Sequence, residues 1–226
     1  EMGMNVKGFV MASSGPEALG WFKEPIKNMD DFRKYRFRTP PGIPGQTYKD
    51  IGIASVSLSG GDILPALEKG TIDAAEWCCP KPDSVFGFQK VLKNYYLQGL
   101  HQNVVNGDIY INGDVYNSLT DHQKYAMEVA SEAMITRNIT NRAVENGKAL
   151  IDLTENHGVK LWDTPADYFT EYMNAAQATL KKNAASNAFF KEVYEHMTAH
   201  AKIVVPFIAQ METSDASIGT AFASQQ

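Results

Sequence analysis

The sequence predicts an α/β fold with a parallel-rich sheet and flanking helices. Strand-like and helix-like runs alternate over the first hundred residues. The run ASVSLS, residues 54–59, has the two-residue period of a half-buried strand. Pro40-Pro41-Gly42 follows another strand-like run and stops it, because proline lacks the N–H that a ladder needs. Such alternation is typical of parallel sheets, in which ligands bind beyond the carboxyl ends of the strands.

The elements of the first hundred residues are assigned from their patterns and boundary residues. The expected strands are 5–11, 36–39, 54–59 and 71–77, and the expected helices are 28–35, 45–52, 62–70 and 84–95. Residues 15–22 are expected to form a surface loop. Asp62 is the expected N-cap of its helix and Gly70 the residue that follows its end.

A long helix dominates the second half of the prediction. After a strand and turn over 107–119, Thr120 and Gln123 fit a capping box, and helical spacing continues to Gly158. Such a helix is about 55 Å long at about 1.5 Å per residue, too long for one small lobe to bury. A further helix begins near Pro165, and the last begins near residue 186, with Pro206 expected to kink or interrupt it.

Composition excludes several classes of protein. The 226 residues are 44% hydrophobic and 21% charged, with a formal net charge of −5, so nothing draws the chain to nucleic acid. No apolar run approaches the length of about 18 residues that a membrane span needs. The start, Glu1-Met2-Gly3, is that of a processed or truncated chain, and no signal peptide is recognised.

The adjacent cysteines Cys78 and Cys79 are candidates for a metal site, a reactive site or a structural corner. A disulfide between neighbours is strained, so two free thiols are favoured. An enzyme would use one thiol as nucleophile and His101 as base, but no residue that would orient the base is evident. Zinc sites space paired cysteines by two to four residues, which this pair does not match.

Three other residues lie at the carboxyl ends of predicted strands, where a ligand would bind. Arg38 ends one strand, and Glu76 and Trp77 end another. A guanidinium group binds a carboxylate through two hydrogen bonds and stays charged when buried. The alternatives are a surface arginine within the basic cluster and a core tryptophan beside a salt-bridged glutamate.

The chain resembles the substrate-binding proteins of TRAP (tripartite ATP-independent periplasmic) transporters, the DctP-like family. The most specific motifs are GWF, RFR, GGDI-PALEKGTIDAAEW and GF-KV---YY, and the resemblance covers nearly the whole chain. Within the family it is similar to the branch that binds 2-oxo acids such as pyruvate or 2-hydroxy acids such as lactate. The resemblance implies a two-lobed periplasmic binding protein, not an enzyme, with a long lobe-spanning helix. The first lobe is expected to be incomplete.

By the same resemblance, Arg38 holds the ligand carboxylate, and Glu76 with the Trp77 carbonyl holds a Na⁺ or Ca²⁺ ion that bridges protein and ligand. Two further positions, a glutamine and a glutamate in that branch, are Glu17 and Gln102 here, so amide and carboxylate are exchanged. The predicted ion ligands are Glu17, Glu76, Trp77 and Gln102. Ionised Glu17 can only accept hydrogen bonds, which favours an intervening ion or a ligand hydroxyl. The alternative is that Glu17 is a charged loop residue and Gln102 a surface amide, with no ion between them.

The other positions around the EW pair have smaller expected roles. Cys78, Cys79 and Lys81 are expected to line or buttress the pocket, and the Tyr95 and Tyr96 hydroxyls either face the cleft or pack.

The resemblance also implies an organisation and partners. Residues 1–104 form the second lobe, 105–146 return to the first lobe, 147–185 end the long helix and add a second-lobe helix, and 186–226 form a C-terminal helix able to exchange in a homodimer. The expected partners are a small organic acid and the membrane permease, and the expected location is the periplasm. A metal-independent binder of a C4-dicarboxylate or aromatic acid is the alternative.

Overall fold

A computed structural model describes the backbone of residues 3–223, and the side chains of these except 14, 213–216 and 219–223. The strands are β1 Val6–Ser14, β2 Gly20–Phe22, β3 Arg36–Arg38, β4 Ala54–Val56, β5 Ala74–Ala75, β6 Asn94–Tyr96, β7 Val105–Asn112 and β8 Lys160–Trp162. The helices are α1 Met29–Phe32, α2 Ile43–Asp50, α3 Gly60–Glu68, α4 Pro80–Phe86, α5 Gly113–Ser118, α6 Asp121–His157, α7 Ala166–Ser186 and α8 Ala188–Ala223, with a 3₁₀ helix at Phe88–Lys90. Contacts divide the chain into units of Glu1–Ala176 and Gln177–Gln226.

The main sheet of the first unit has the strand order β4-β3-β5-β2-β6-β8. Strand β3 is parallel to β4 and β5, and β6 is parallel to β8. Strand β2 is antiparallel to both of its neighbours, β5 and β6, so the sheet is mixed and parallel pairs predominate. The α/β class is confirmed.

The prediction of a surface loop over residues 15–22 is wrong in its second half. Residues 17–22 are buried, and β2 is inserted between β5 and β6. A Cβ on Gly20, which has φ +133°, would lie 2.6 Å from the Ala75 carbonyl oxygen. Glycine therefore permits the close approach of β2 to β5, whereas the sequence pattern treated it as a turn residue.

Two hydrophobic clusters cover the main sheet, and consecutive residues of a strand enter different clusters. Trp21 and Tyr95 belong to one cluster, and Phe22 and Tyr96 belong to the other. This separation follows from the two-residue side-chain period of a strand. The run is only three residues long in each strand, which is too short for a sequence pattern to display the alternation.

The long helix is confirmed. Helix α6 has 37 residues, Thr120 and Gln123 form the predicted capping box, and Gly158 ends the helix in the left-handed conformation. It packs against β1, which pairs with β7 in a separate antiparallel two-stranded sheet.

The helix predicted over residues 84–95 is wrong in its bounds: residues 84–86 belong to α4, and Phe88–Lys90 form the 3₁₀ helix. Helix α4 begins earlier, at Pro80, and ends at Gly87, which has φ +88°. The last residues form β6, where two buried tyrosines favour a strand.

Two further details differ from expectation. Ser59, not Asp62, occupies the N-cap position of α3, whereas Gly70 follows its end as predicted. In the second unit, α8 is a continuous helix through Pro206, so the predicted interruption is absent. No helix among the described residues is long and apolar enough to cross a membrane.

Candidate functional site

Arg38 and Glu76 meet because they lie at the same edge of the sheet. Arg38 is the last residue of β3, and Glu76 follows β5, the parallel neighbour of β3. Both side chains are buried, at 6% and 1% exposure, and form an ion pair through Arg38 Nη1 and Glu76 Oε1. Nη1 also donates to the Glu76 carbonyl oxygen at 3.0 Å, while Nε and Nη2 donate to the Leu58 carbonyl oxygen at 3.2 and 3.1 Å.

Trp77 forms an aromatic wall beside the arginine. The Arg38 guanidinium carbon lies 5.2 Å from the Trp77 ring centroid, a cation–π distance, and Phe86 packs on the indole at 4.6 Å. A Cβ on Gly60 would lie 2.7 Å from the indole ring, so the glycine leaves the space that Trp77 occupies.

Backbone hydrogen bonds hold the loop that contains Glu17 against the Gln102 segment and against the segment that follows the EW pair. The Glu17 N–H donates to the Gln102 carbonyl oxygen at 3.0 Å, and the Ala18 N–H donates to the Cys78 carbonyl oxygen at 2.8 Å. A Cβ on Gly99 would lie 2.9 Å from the Glu17 carbonyl oxygen, so these two loops touch through backbone. Backbone hydrogen bonds between segments distant in the sequence therefore position Glu17 beside the EW segment.

These elements line an open pocket of about 420 Å³. It is lined by Glu17, Arg38, Pro40, Glu76, Trp77, Cys78, Pro82 and Gln102. The structure thus brings all five residues of the predicted site to one pocket. Of the three residues expected to modify its wall, Cys78 lines the pocket, whereas Lys81 is exposed and is not among the lining residues.

His101 has no role in the predicted site and enters the sequence argument only as a disfavoured partner of the cysteines. In the structure its Nε2 lies 3.7 Å from Glu17 Oε2 and 3.6 Å from Glu76 Oε2. Its Nδ1 lies 3.2 Å from the Tyr48 hydroxyl. Burial alone would lower the pKa of His101, but the two carboxylates outweigh it and raise the pKa above its ordinary value. Its position next to Gln102 was the available clue.

Cys78 and Cys79 are free thiols with sulfur atoms 3.0 Å apart. The Arg142 guanidinium lies 3.0 Å from Cys79 Sγ and 3.6 Å from Cys78 Sγ. The hydrogen bond from Cys78, followed by the charge of Arg142, lowers the pKa of Cys79 despite its burial, and the same thiol pairing raises the pKa of Cys78. His101 makes its ion-pair contacts with carboxylates, which weakens the thiol–histidine enzyme and zinc readings.

Asp83 anchors the chain behind the pocket. Its Oδ1 accepts the N–H groups of Cys78 and Cys79, and its Oδ2 accepts the Trp21 indole N–H and the Tyr95 hydroxyl. Burial raises the pKa of Asp83 to about 7 against the opposing effect of these donors.

The neighbouring tyrosine, Tyr96, has a hydroxyl that bonds to the backbone of Ile26. Both tyrosine hydroxyls are thus structural, in agreement with the packing interpretation.

Comparison with known proteins identifies the family of the chain. The family model of the bacterial extracellular solute-binding proteins, family 7 (DctP), matches residues 2–187. A monocarboxylate 2-oxoacid-binding periplasmic protein of Nostoc sp. is 35% identical over 205 residues, which are 88% of this chain and 54% of that protein. The chain therefore spans about half the length of this curated relative.

Solved structures share the fold. A TRAP transporter solute-binding protein of Bordetella bronchiseptica, a dimer with copurified calcium and picolinate in one active site, is 28% identical with a TM-score of 0.84, over 98% of this chain and 66% of that one. A TRAP periplasmic solute-binding protein of Pseudoalteromonas atlantica, with bound sodium and pyruvate, is 23% identical with a TM-score of 0.76, over 91% and 64%. At 23% identity, the second comparison shows only that the two proteins share a fold.

The family is one of extracellular binding proteins, which confirms the predicted class, its extracytoplasmic location and its assignment as a binder rather than an enzyme. The buried arginine at a strand end, the carboxylates around the pocket and the family match over residues 2–187 lead to one conclusion: the chain belongs to the DctP family of bacterial extracellular solute-binding proteins.

Proposed function

We propose that the chain binds a small 2-oxo or 2-hydroxy carboxylate, of the pyruvate or lactate type, for a TRAP transporter. The observation that carries the proposal is the pocket that combines buried Arg38 with the buried carboxylates of Glu17 and Glu76. The 2-oxoacid-binding relative from Nostoc supports the substrate class. A volume of about 420 Å³ accommodates an acid of this size with an ion beside it.

Arg38 is the proposed anchor of the ligand carboxylate. Its described hydrogen bonds use Nε, both hydrogens of Nη1 and one of Nη2, so one of its five N–H groups remains for a ligand. A bidentate grip also requires the ligand to compete with Glu76 for Nη1. Because the guanidinium stays charged when buried, it suits this exchange of one carboxylate for another.

An ion between protein and ligand completes the proposed site. Glu17 Oε2 and Glu76 Oε2 are buried without hydrogen-bond partners, and such oxygens fit a cation. With the Trp77 carbonyl and Gln102 they form the proposed ligand set for Na⁺ or Ca²⁺, and the calcium of the Bordetella bronchiseptica structure is the precedent. The ion would supply positive charge to the acid's oxygens.

Glu17 bears on the choice of acid. An ionised carboxylate accepts hydrogen bonds but donates none. Where Glu17 meets the ligand directly, the hydroxyl of a 2-hydroxy acid satisfies it and the carbonyl of a 2-oxo acid does not. We expect lactate to bind at least as well as pyruvate when the ion is removed.

Arg38→Ala tests the proposal, with Arg36→Ala as the matched control. Arg36 lies two residues earlier in the same strand, is half-exposed and pairs with Asp73. Isothermal calorimetry with pyruvate and lactate should give at least a 100-fold loss of affinity in Arg38→Ala and less than a threefold change in Arg36→Ala. Retained affinity in Arg38→Ala would remove Arg38 as the anchor.

Ion removal separates the proposal from a metal-independent binder. Dialysis against EDTA should weaken acid binding if the ion is divalent, and transfer to Na⁺-free buffer should weaken it if the ion is Na⁺. Unchanged affinity after both treatments would favour a metal-independent site for a C4-dicarboxylate or aromatic acid.

The proposal extends to partners and organisation. We expect the bound acid to pass to a membrane permease. In the expected organisation, residues 1–104 form the second lobe, 105–146 return to the first lobe, 147–185 end the long helix and add a second-lobe helix, and the C-terminal helix in 186–226 mediates a homodimer. Exposed apolar side chains along α8 support self-association: Phe189, Val193, Met197, Ile203, Phe207 and Met211. Light scattering measures the mass of the purified chain and of the double variant Phe189→Ser, Phe207→Ser. We expect a dimer for the unaltered chain and a smaller mass for the variant; the same mass for both would contradict a dimer formed through α8.

A further inference from the structure

The adjacent thiols of Cys78 and Cys79 have no part in the proposed binding of an acid and an ion. Their sulfur atoms lie 3.0 Å apart, and the sequence contains no other cysteine. Cys78 is half-buried and lines the pocket, whereas Cys79 is buried. An accessible thiol in contact with a second thiol can form a disulfide by exchange, because the second sulfur can attack the mixed disulfide made by the first.

Arg142 of α6 contacts both sulfur atoms. Its Nη2 lies 3.0 Å from Cys79 Sγ and 3.6 Å from Cys78 Sγ, so a single nitrogen lies beside the pair. Helix α4, which follows the cysteines, packs on α6, where Asn146 accepts the Lys81 N–H at 2.9 Å. This packing places the arginine beside the thiols and keeps the two sulfur atoms together.

A disulfide between these neighbours should be reversible rather than permanent. Adjacent Cα atoms are about 3.8 Å apart, which is below the usual range of about 4.4–6.8 Å across a disulfide. Closing the bond therefore strains the peptide group between the cysteines, and strained disulfides are reduced more readily than structural ones. The extracytoplasmic location of the family provides oxidising surroundings in which such a bond forms.

The peptide group that joins the two cysteines is hydrogen-bonded at both ends. Its carbonyl oxygen, on Cys78, accepts the N–H of Ala18, the residue after Glu17, at 2.8 Å. Its N–H, on Cys79, donates to Asp83 Oδ1 at 3.1 Å. Ring closure has to twist this same peptide group, so we expect it to weaken the bond that holds the Glu17 loop.

We propose that Cys78 and Cys79 are a reversible redox site, in which exchange with an external disulfide, RS–SR, joins the two sulfur atoms and loosens the Glu17 loop. Cys78 Sγ attacks RS–SR and forms a mixed disulfide, and the first RSH leaves with the Cys78 proton. Cys79 Sγ then attacks Cys78 Sγ, the bond to the external sulfur breaks, and the second RSH leaves with the Cys79 proton. The pair loses two electrons and two protons, and RS–SR is reduced to two RSH.

The consequence for the ligand rests on the proposed function. Cys78 and Glu17 line the same pocket as Arg38, the proposed anchor of the acid. Oxidation changes the pocket wall at Cys78 and releases the loop at Glu17. We therefore expect the oxidised chain to bind pyruvate or lactate at least tenfold more weakly than the reduced chain.

Mass spectrometry after unfolding and alkylation with iodoacetamide tests the chemistry, with no organic acid present. Oxidised glutathione should remove the mass of two hydrogen atoms and protect both thiols, and reduced glutathione should restore them. Cys79→Ser should instead accumulate a mixed disulfide at Cys78, and Cys78→Ser should gain none, because its remaining thiol is buried. The inference is overturned if the unaltered chain keeps both thiols, stops at the mixed disulfide, or forms a disulfide that reduced glutathione leaves intact.

Amide hydrogen exchange tests the link to the pocket, again without acid. The Ala18 N–H should exchange at least tenfold faster in the oxidised chain, while the Ile53 N–H, bonded to the Tyr48 carbonyl oxygen, should exchange alike in both states. The double variant Cys78→Ser, Cys79→Ser should show no difference between oxidising and reducing conditions. Equal exchange of Ala18 in the two states of the unaltered chain would overturn the link.

Calorimetry with pyruvate and lactate then compares the oxidised and reduced chains. Equal affinities in the two states would overturn the effect of the redox site on the ligand. A reduced chain that binds neither acid would contradict the proposed function, whereas the alkylation and exchange results would still decide the redox site. The two failures are therefore distinguishable.

Discussion

Glu76 and Asp83 are two carboxylates only seven residues apart, both almost fully buried, and the structure treats them in opposite ways. Asp83 accepts four hydrogen bonds, two at each oxygen. Glu76 pairs one oxygen with Arg38, and its other oxygen has no hydrogen-bond partner. Asp83 stabilises the fold, whereas the second oxygen of Glu76 lies 3.6 Å from His101 Nε2 and is a proposed ligand of the ion.

The comparison teaches that burial alone does not identify a binding site. A buried carboxylate is costly unless it is satisfied, so a fully hydrogen-bonded one is a structural element. A buried carboxylate beside a pocket, with one oxygen that has no hydrogen-bond partner, is a candidate ligand for an ion. The four predictions that follow test this contrast, from the largest expected effect to the smallest.

Replacing Asp83 with alanine should give the largest loss of stability, about 4 kcal/mol in the free energy of unfolding. The substitution leaves the Trp21 indole, the Tyr95 hydroxyl and two backbone N–H groups buried without their acceptor. Urea unfolding at pH 6, followed by tryptophan fluorescence, measures it. Asp108→Ala, an exposed aspartate that accepts one tyrosine hydroxyl, is the control and should change stability by less than about 0.5 kcal/mol. A similar small loss in Asp83→Ala would remove its structural role.

Stability should fall as pH rises from about 4 to about 7. The pKa of Asp83 is about 7 in the folded chain against an ordinary value of 3.8, so the folded state binds more protons than the unfolded state within this window. The pKa values of Asp31 and Asp73 are lowered, so their contributions change below this window.

Urea midpoints at pH 4.5, 5.5 and 6.5 check the slope, and Asp83→Asn should flatten it. The pKa of His101 is also raised, so the stability that protonated His101 contributes is lost as the pH rises. This second part of the pH dependence should remain in Asp83→Asn. An equal slope in Asp83→Asn would assign the pH dependence elsewhere.

Replacing Glu17 with glutamine should raise the free energy of unfolding, whereas Asp83→Ala should lower it. It removes a buried charge whose Oε2 has no hydrogen-bond partner, so the metal-free chain at pH 8.5 should gain about 1 kcal/mol in the free energy of unfolding. Ion affinity should fall at the same time. Calorimetry with thermal unfolding measures both quantities, and Glu68→Gln, an exposed glutamate, serves as control. A loss of stability in Glu17→Gln would make Glu17 structural, like Asp83.

Arg142→Gln should have the smallest effect, confined to the thiols. The Cys78 hydrogen bond and then the Arg142 charge lower the pKa of Cys79, so removing the charge should raise that pKa. Thiolate absorbance near 240 nm, titrated between pH 6 and 10, measures the midpoint. Arg137→Gln, on the same helix, should leave the midpoint unchanged. An unchanged midpoint in Arg142→Gln would show that the thiol pair alone sets the pKa.

Local patterns were enough to predict several elements. The capping box of Thr120 and Gln123 and the left-handed Gly158 gave both ends of α6, because these are interactions among residues close in sequence. The predicted loop containing Gly20 became a central strand instead. Its place depends on space beside Ala75, which no local pattern records.

The sequence by itself determined the α/β class, the long helix and the pocket position of Arg38, Glu76 and Trp77, since strand ends follow from pattern and sheet edges gather strand ends. Only the tertiary structure decided where His101 lies. Glu17, Glu76 and His101 come from three distant segments, and folding brings their ligand atoms within 4.8 Å of one another. Satisfaction of buried polar atoms is a property of the packed molecule, and for that reason the sequence could not show that Asp83 would accept four hydrogen bonds.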